Sequence, residues 1–183
     1  MTERITRGLT PALVALACGG ALAAMPGMAA AQNYGYIEGG YLNRDSDRID
    51  DAGLRIAGSG PVAGSVALIG EYADTGDDEQ FSGGVLLHGP LSPELDWTAG
   101  ATLEFADNGH DDDQGYGLRG GLRWRFAEYF ELNPEIRHTE IFDHGETALR
   151  LAGLVRIAPR VDLQAALQGG DEDRLEVGAR YNF

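Results

Sequence analysis

From Gln32 to the end of the 183-residue chain, apolar and polar residues alternate with a period of two. That period is the signature of strands with one apolar face. Acidic or glycine-bearing stretches interrupt it. The pattern predicts ten strands, at about 34–43, 52–59, 65–73, 80–88, 96–106, 115–126, 130–141, 147–157, 161–168 and 174–183. Each is close to the ~9–11 residues that cross a bilayer at a tilt. Eight strands is the alternative if two short ones fail. Only "AEYFELNPEIR" passes briefly for a helix, and Pro134 inside it weakens the strand reading there.

The connections alternate between two sets. One set comprises "RDSDRIDD", "DTGDDEQ", "DNGHDDDQ", "FDHGE" and "GGDED"; the other comprises "GSGPVAG", "GPLSPELD", "FAEYF" and "APRVD". Strict alternation is what strands running up and down require, with each set gathered at one end. One end is therefore expected to be acidic and the other to have short, proline-bearing turns, with both termini on the short-turn side.

The two faces differ in chemistry. One carries series such as Val66, Leu68, Tyr72; Trp97, Ala99, Ala101, Leu103, Phe105; and Leu175, Val177, Ala179, Tyr181, Phe183. The opposite face carries Glu38, Glu71, Glu104, Glu131, Glu135 and Glu176 beside Arg55, Arg119, Arg123, Arg125, Arg137, Arg150, Arg156, Arg174 and Arg180. In "QGYGLRGGLRWRF", for example, Arg119, Arg123 and Arg125 interleave with Leu118, Leu122, Trp124 and Phe126. The first strand is the least clean, since Tyr34 and Tyr36 share a phase with Glu38.

A soluble sandwich also alternates, so the choice rests on where the rings sit. Trp97, Trp124, Phe126, Phe130, Tyr181 and Phe183 fall toward the short turns; Tyr41, Tyr72, Phe81, Phe105 and Tyr116 fall toward the acidic end. The spacing from Trp97 to Phe105 corresponds to ~20 Å of height at ~3.3 Å per residue and ~40° tilt, close to the ~25 Å band between aromatic girdles. A dry core would place its largest rings centrally. Strands in hydrocarbon leave no backbone group unpaired, so the sheet must close. The expected fold is all-β: a closed antiparallel up-and-down transmembrane β-barrel with an ionic lumen. An arginine turned outward at mid-bilayer costs ~2–4 kcal/mol, which fixes the register.

Residues 1–31 read separately. Arg4 and Arg7 precede an apolar run from about Leu9 to Ala24, then Pro26 and Ala29-Ala30-Ala31. This is the layout of a cleaved secretory signal peptide, leaving 32–183 as the barrel domain. A lipoprotein cleaved before Cys18 is the rival reading. Loss of Glu3, Arg4 and Arg7 with the leader moves the formal charge from −15 to −16. Such acidity disfavours nucleic acid. The acidic connections hold 17 of the 28 acidic residues that remain.

The segments "NYGYIEGGYLN" and "VGARYNF", with the roughly thirty-residue hairpin rhythm, resemble small outer-membrane β-barrels of Gram-negative bacteria. Within these the chain is most similar to the family described as quorum-sensing-regulated or diffusible-signal-regulated outer-membrane proteins. The resemblance implies outer-membrane localisation, contact with outer-membrane lipids and lipopolysaccharide, and a monomer delivered by periplasmic chaperones. It also implies folding by the barrel assembly machinery, which reads the last strand; Tyr181 and Phe183 are the matching positions. It brings no catalytic residues and no cofactor.

Three functional classes follow. The first is a non-enzymatic envelope or surface-contact barrel whose lumen is plugged by ion pairs among Glu38, Arg55, Glu71, Glu104, Arg119, Arg123, Arg125, Arg137, Arg150, Arg156, Glu176 and Arg180. The second is a narrow ion or small-solute pore lined by the same groups. The third, a lipid A-modifying enzyme, would need a hydroxyl, a base and an orienting group together. His138 neighbours Thr139, but the two point to opposite faces of one strand, and His88 is expected in the lumen without a serine beside it. The runs "HDDDQ" and "DSDRIDD" offer oxygen ligands but lack a full calcium-loop pattern. They read as solvated loops, and Asp111, Asp112 or Asp113 could share divalent cations with lipopolysaccharide phosphates.

Overall fold

The computed structural model describes residues 32–46, 49–76, 78–107, 112–141 and 144–183. The expected leader, with Cys18, lies outside the described residues, as do Asp47, Asp77, Asp111 and Asp143 of the acidic connections. Ten strands follow in order: β1 (Tyr36–Ser46), β2 (Ile49–Ala63), β3 (Val66–Thr75), β4 (Asp78–Ser92), β5 (Leu95–Asp107), β6 (Asp112–Ala127), β7 (Phe130–Ile141), β8 (His144–Ala158), β9 (Val161–Gly170) and β10 (Asp173–Asn182). Each pairs antiparallel with its sequence neighbours, and β1 pairs with β10, so the sheet is a closed barrel with no free edge.

Closure depends on close approach at the β1–β10 seam. Gly40 lies opposite Gly178. A Cβ at Gly40 would sit 2.3 Å from the Val177 carbonyl oxygen, and one at Gly178 would sit 2.3 Å from that of Gly39. Only glycine lets the two backbones meet this way. At the acidic end, Gly76 turns the chain from β3 toward β4 with φ of 66°, a conformation glycine adopts without strain.

Eight of the ten strands are longer than the alternation suggested, β7 and β10 being the exceptions, and most of the described residues of the acidic connections sit on strand ends rather than in loops. Asp74 faces Glu79 and Asp107 faces Asp112 across neighbouring strands. Ladder hydrogen bonds carry the backbone past the point where side-chain alternation stops, because pairing requires no apolar side chain. At the other end the turns shrink to residue pairs, Gly64-Ser65, Pro93-Glu94, Glu128-Tyr129 and Pro159-Arg160. Each accepts a backbone hydrogen bond from a neighbouring strand, as in His88 N–H to Ser65 O at 3.0 Å. Pro134 belongs to β7 and keeps its place opposite Leu151. On its other side the ladder with β6 is interrupted, with pairs Gly121↔Glu135 and Trp124↔Leu132 flanking the gap.

Polarity is inverted relative to a water-soluble fold. Leu54, Leu103 and Leu149 are 64%, 63% and 67% exposed, whereas Glu38, Arg55, Glu176 and Arg180 are 5–6% exposed. Hydrocarbon is the solvent such an exterior fits. Outside, Trp124, Phe126 and Phe130 form a row with ring centroids 5.5 and 5.8 Å apart at the short-turn end, and Phe81 meets Phe105 at 6.2 Å near the other. Trp97 lies over Gly89, filling the surface that glycine leaves bare.

A midpoint position tests this polarity. Leu151, near the centre of β8, is replaced by arginine; reversible guanidinium unfolding from lipid vesicles should show a loss of about 2–4 kcal/mol. An unchanged midpoint would mean that lipid does not wet this face.

Candidate functional site

The lumen is crossed by one continuous ion-pair network. Glu38 of β1 is its hub. Its carboxylate accepts from Arg55 NH1 at 2.8 Å and from Arg180 Nε and NH2 at 2.9 and 2.7 Å. Arg55 also donates to Glu71 at 2.8 Å and lies 3.5 Å from Glu176. Glu176 in turn holds Arg150 at 2.6 Å. Glu71 lies 3.5 Å from Arg137, which also binds Glu135. From the other side of the hub, Arg180 reaches Glu131 at 3.4 Å, and Glu131 takes Arg123 at 2.9 Å. Five arginines and five glutamates are joined, with formal charges that cancel.

The strand period explains why such a belt forms. Inward residues lie two apart on each strand, and opposed residues on paired strands are ~4.5–5.5 Å apart. Glu38 stands opposite Arg180 on β10 and Ala57 on β2, whose inward neighbour is Arg55. Each guanidinium has five donors in a planar fork, so one arginine can bridge two carboxylates. Charges so enclosed are expensive unless paired. The belt leaves only about 70 Å³ of free space among its side chains.

Tyr34 and Tyr36 belong to the belt, which accounts for their sharing a phase with Glu38. Arg180 lies 4.1 Å over the Tyr36 ring and Arg123 lies 4.6 Å over the Tyr34 ring. The other contacts of Tyr34 lie toward the short-turn end. It stacks on His88 at 3.6 Å and donates its hydroxyl to Asp96 at 3.2 Å. The preceding residues are held as well: Arg123 NH1 donates to the Asn33 carbonyl and Arg125 NH2 to Gln32 Oε1. Beside them Tyr34, Ala67, Leu86 and Ile69 form a small apolar cluster, so the interior is not purely ionic.

Toward the acidic end the lumen widens into a vestibule of about 540 Å³. Arg119, Glu71 and Arg137 line both this space and the small cavity of the belt, and so form the partition between them.

Solved structures with the same architecture carry the comparison no further than fold. No protein-family profile and no curated sequence matches the chain. The chain is similar to a structure described as KdgM porin, with a TM-score of 0.51 and 11% identity over 81% of this chain and 99% of that one. A structure described as KdgM porin in complex with disordered oligogalacturonate gives 0.52 and 9%, over 81% and 97%. NanC porin gives 0.50 and 9%, over 81% and 99%. The fold is that of an outer-membrane β-barrel.

Not every lumenal charge of this barrel joins the belt. Arg119 faces Gly100 and Arg137 across its two ladders, and Glu104 faces Ser82 and Gly115. Neither has an oppositely charged cross-strand neighbour, and neither makes an ion pair among the described residues. Arg156 pairs with Asp162 at 3.1 Å near the short turns, apart from the belt. Arg125 donates to Gln32 Oε1. Outside the belt, Arg44 holds Glu172 at 2.7 Å, and Glu172 also accepts from Arg174, a triad whose members fell in expected loops or at a strand start. Asp96 and Asp162 were likewise missed, because each sits at a strand start beside a turn.

His88 lies in the lumen as expected, and His138 lies outside. His88 is buried against Tyr34, while His138 lies on the outer face with Nδ1 2.9 Å from Thr147 Oγ1. That hydroxyl comes from the neighbouring strand, where sequence adjacency could not show it. No carboxylate ion-pairs with His138 among the described residues, and Glu140 is occupied by the Tyr116 hydroxyl at 2.5 Å. Among the described residues no acid orients this hydroxyl–imidazole pair.

Two measurements probe the charges. Glu38→Ala leaves Arg55 and Arg180 without their shared partner, and equilibrium unfolding should show a loss of about 3–5 kcal/mol. Arg156→Ala, whose side chain is 35% exposed, should lose no more than about 1 kcal/mol. Equal losses would refute the belt as the main buried network. At the acidic end, burial would raise the Glu172 carboxyl, but the hydrogen bond from Arg44 and the charge of Arg174 outweigh it and hold the group below the ordinary range. A depressed carboxyl contributes its stability above the ordinary value of ~4.3, and that contribution is lost as pH falls through the lower folded value. Tryptophan fluorescence followed down in pH at fixed denaturant should therefore show a shallower acid limb for Glu172→Gln than for the parent.

Proposed function

We infer that this protein is a monomeric, non-enzymatic outer-membrane barrel whose lumen is closed by its own side chains, acting in envelope structure or surface contact. The observation that carries this reading is the neutral belt of five arginines and five glutamates with about 70 Å³ left among them. A space of that size admits a few water molecules and no hydrated solute. The Tyr34 contacts with His88 and Asp96 add a second layer of closure beneath it.

In this reading the aromatic rows anchor the barrel in outer-membrane lipid, and the acidic strand ends face the lipopolysaccharide headgroups. Like charges opposed across strands, such as Asp74 with Glu79, favour a setting rich in divalent cations. Tyr181 and Phe183 present the pattern that barrel assembly machinery reads in a final strand. Membership of the quorum-sensing-regulated group rests on the two end motifs and the hairpin rhythm.

A second reading, a narrow pore, is favoured by the open vestibule and by Arg119, the one partition arginine that no carboxylate clamps. Planar-bilayer recording separates the two. The plugged barrel shows no steady conductance, and the charge-balanced double substitution Glu38→Ala with Arg55→Ala should create one, because it removes belt volume without stranding a charge. Steady current through the parent protein would favour the pore.

A further inference from the structure

The floor of the vestibule holds a separated pair of opposite charges. Arg119 projects from β6 between Gly100 and Arg137. It lies in the field of Glu135, Glu71 and Glu104, yet hydrogen-bonds to none of them among the described residues. Its neighbour Arg137 is already neutralised by Glu135 and Glu71, so the uncompensated cation at this level is Arg119. Beside it, Glu104 is 5% exposed, makes no ion pair among the described residues and takes a hydrogen bond from Thr102. Its carboxylate lies over Gly117, the inward residue next to Arg119 on β6: a Cβ there would come within 2.4 Å of Glu104 Oε1. Both groups line the same open space of about 540 Å³, as does Gln168, whose Oε1 is buried without a protein hydrogen bond.

Enclosed opposite charges that line one space ordinarily close onto one another, as the pairs of the belt do. A gap held between them suits a solute that brings both signs. A simple anion would gain at Arg119 but be repelled by Glu104 and the acidic walls. A simple cation would be drawn in by those walls and then meet the Arg119–Arg137 pair. We propose that the vestibule floor is a binding site for small zwitterions of the amino-acid type, the carboxylate docking on Arg119 and the ammonium on Glu104. The planar guanidinium receives a carboxylate through two parallel hydrogen bonds, and the free Glu104 oxygen accepts from the ammonium. The site lies above the belt, so binding does not require that the lumen conduct.

The test uses isotope-labelled full-length mature chain in lipid nanodiscs and three probes: L-alanine, propionate and ethylammonium, the last two each carrying one of its charges. Saturable shifts of the Gly117 amide and the Arg119 side-chain Nε signal are expected with L-alanine. Each half-probe should bind at least tenfold more weakly. Arg119→Gln and Glu104→Gln should each weaken L-alanine at least tenfold. Gly117→Ala, which displaces the Glu104 carboxylate while keeping its charge, should do so as well. Heat-modifiable gel migration checks that each variant is folded. The proposal is overturned if L-alanine gives no saturable shift or if propionate matches it, which makes a plain anion site. Ethylammonium matching it, or folded variants binding like the parent, overturns it equally. A closed channel with this binding, or an open channel without it, would judge the two functional statements separately.

Discussion

Every other feature of this molecule answers to one requirement: in hydrocarbon each backbone N–H and C=O needs a partner inside the protein. A sheet meets it only by returning to its own first strand, and here β1 and β10 meet through glycines opposed at the seam. Once closed, the sheet has an outside that touches lipid and an inside that does not. The alternation of side chains then leaves no choice about which residues enter the lumen.

Closure in turn sets the energetics of the interior. A ten-stranded cylinder is narrow, and the arginines and glutamates directed into it cannot keep full hydration shells. They are stable there because each carboxylate is paired, four of the five with two guanidinium groups, and the total cancels. The branching at Glu38, Arg55 and Glu71 makes the belt a single unit rather than a set of independent bridges. Tyrosine rings complete it, giving the guanidinium faces an apolar partner where no carboxylate reaches.

The two ends then differ for a physical reason. At the short-turn end, residues 32–34 are held against Arg123, Arg125 and Asp96. At the acidic end the inward positions are small or short, as at Gly117, Ser82, Thr102 and Ala106, and the lumen opens into a vestibule. A tightly filled belt and an open vestibule therefore coexist in one barrel because they occupy different heights.

The alternation of residues along the chain was sufficient for the ten strands, their inside and outside faces and the aromatic rows, because these depend only on a period of two and on strand length. The shared phase of Tyr34 and Tyr36 with Glu38 read only as an irregularity of the first strand, and the structure places both rings in the lumen beneath arginines. What tertiary structure alone decided is who meets whom. Glu104 and Arg119 read like any other lumenal charges, yet neither closes a salt bridge among the described residues, whereas Arg55, opposed directly only by Gly40 and Ala73, closes several on the diagonal. Arg156 was indistinguishable from Arg150 by pattern and lies apart from the belt beside Asp162. Register across a barrel is set by turn length and seam closure, and no one-dimensional period encodes it.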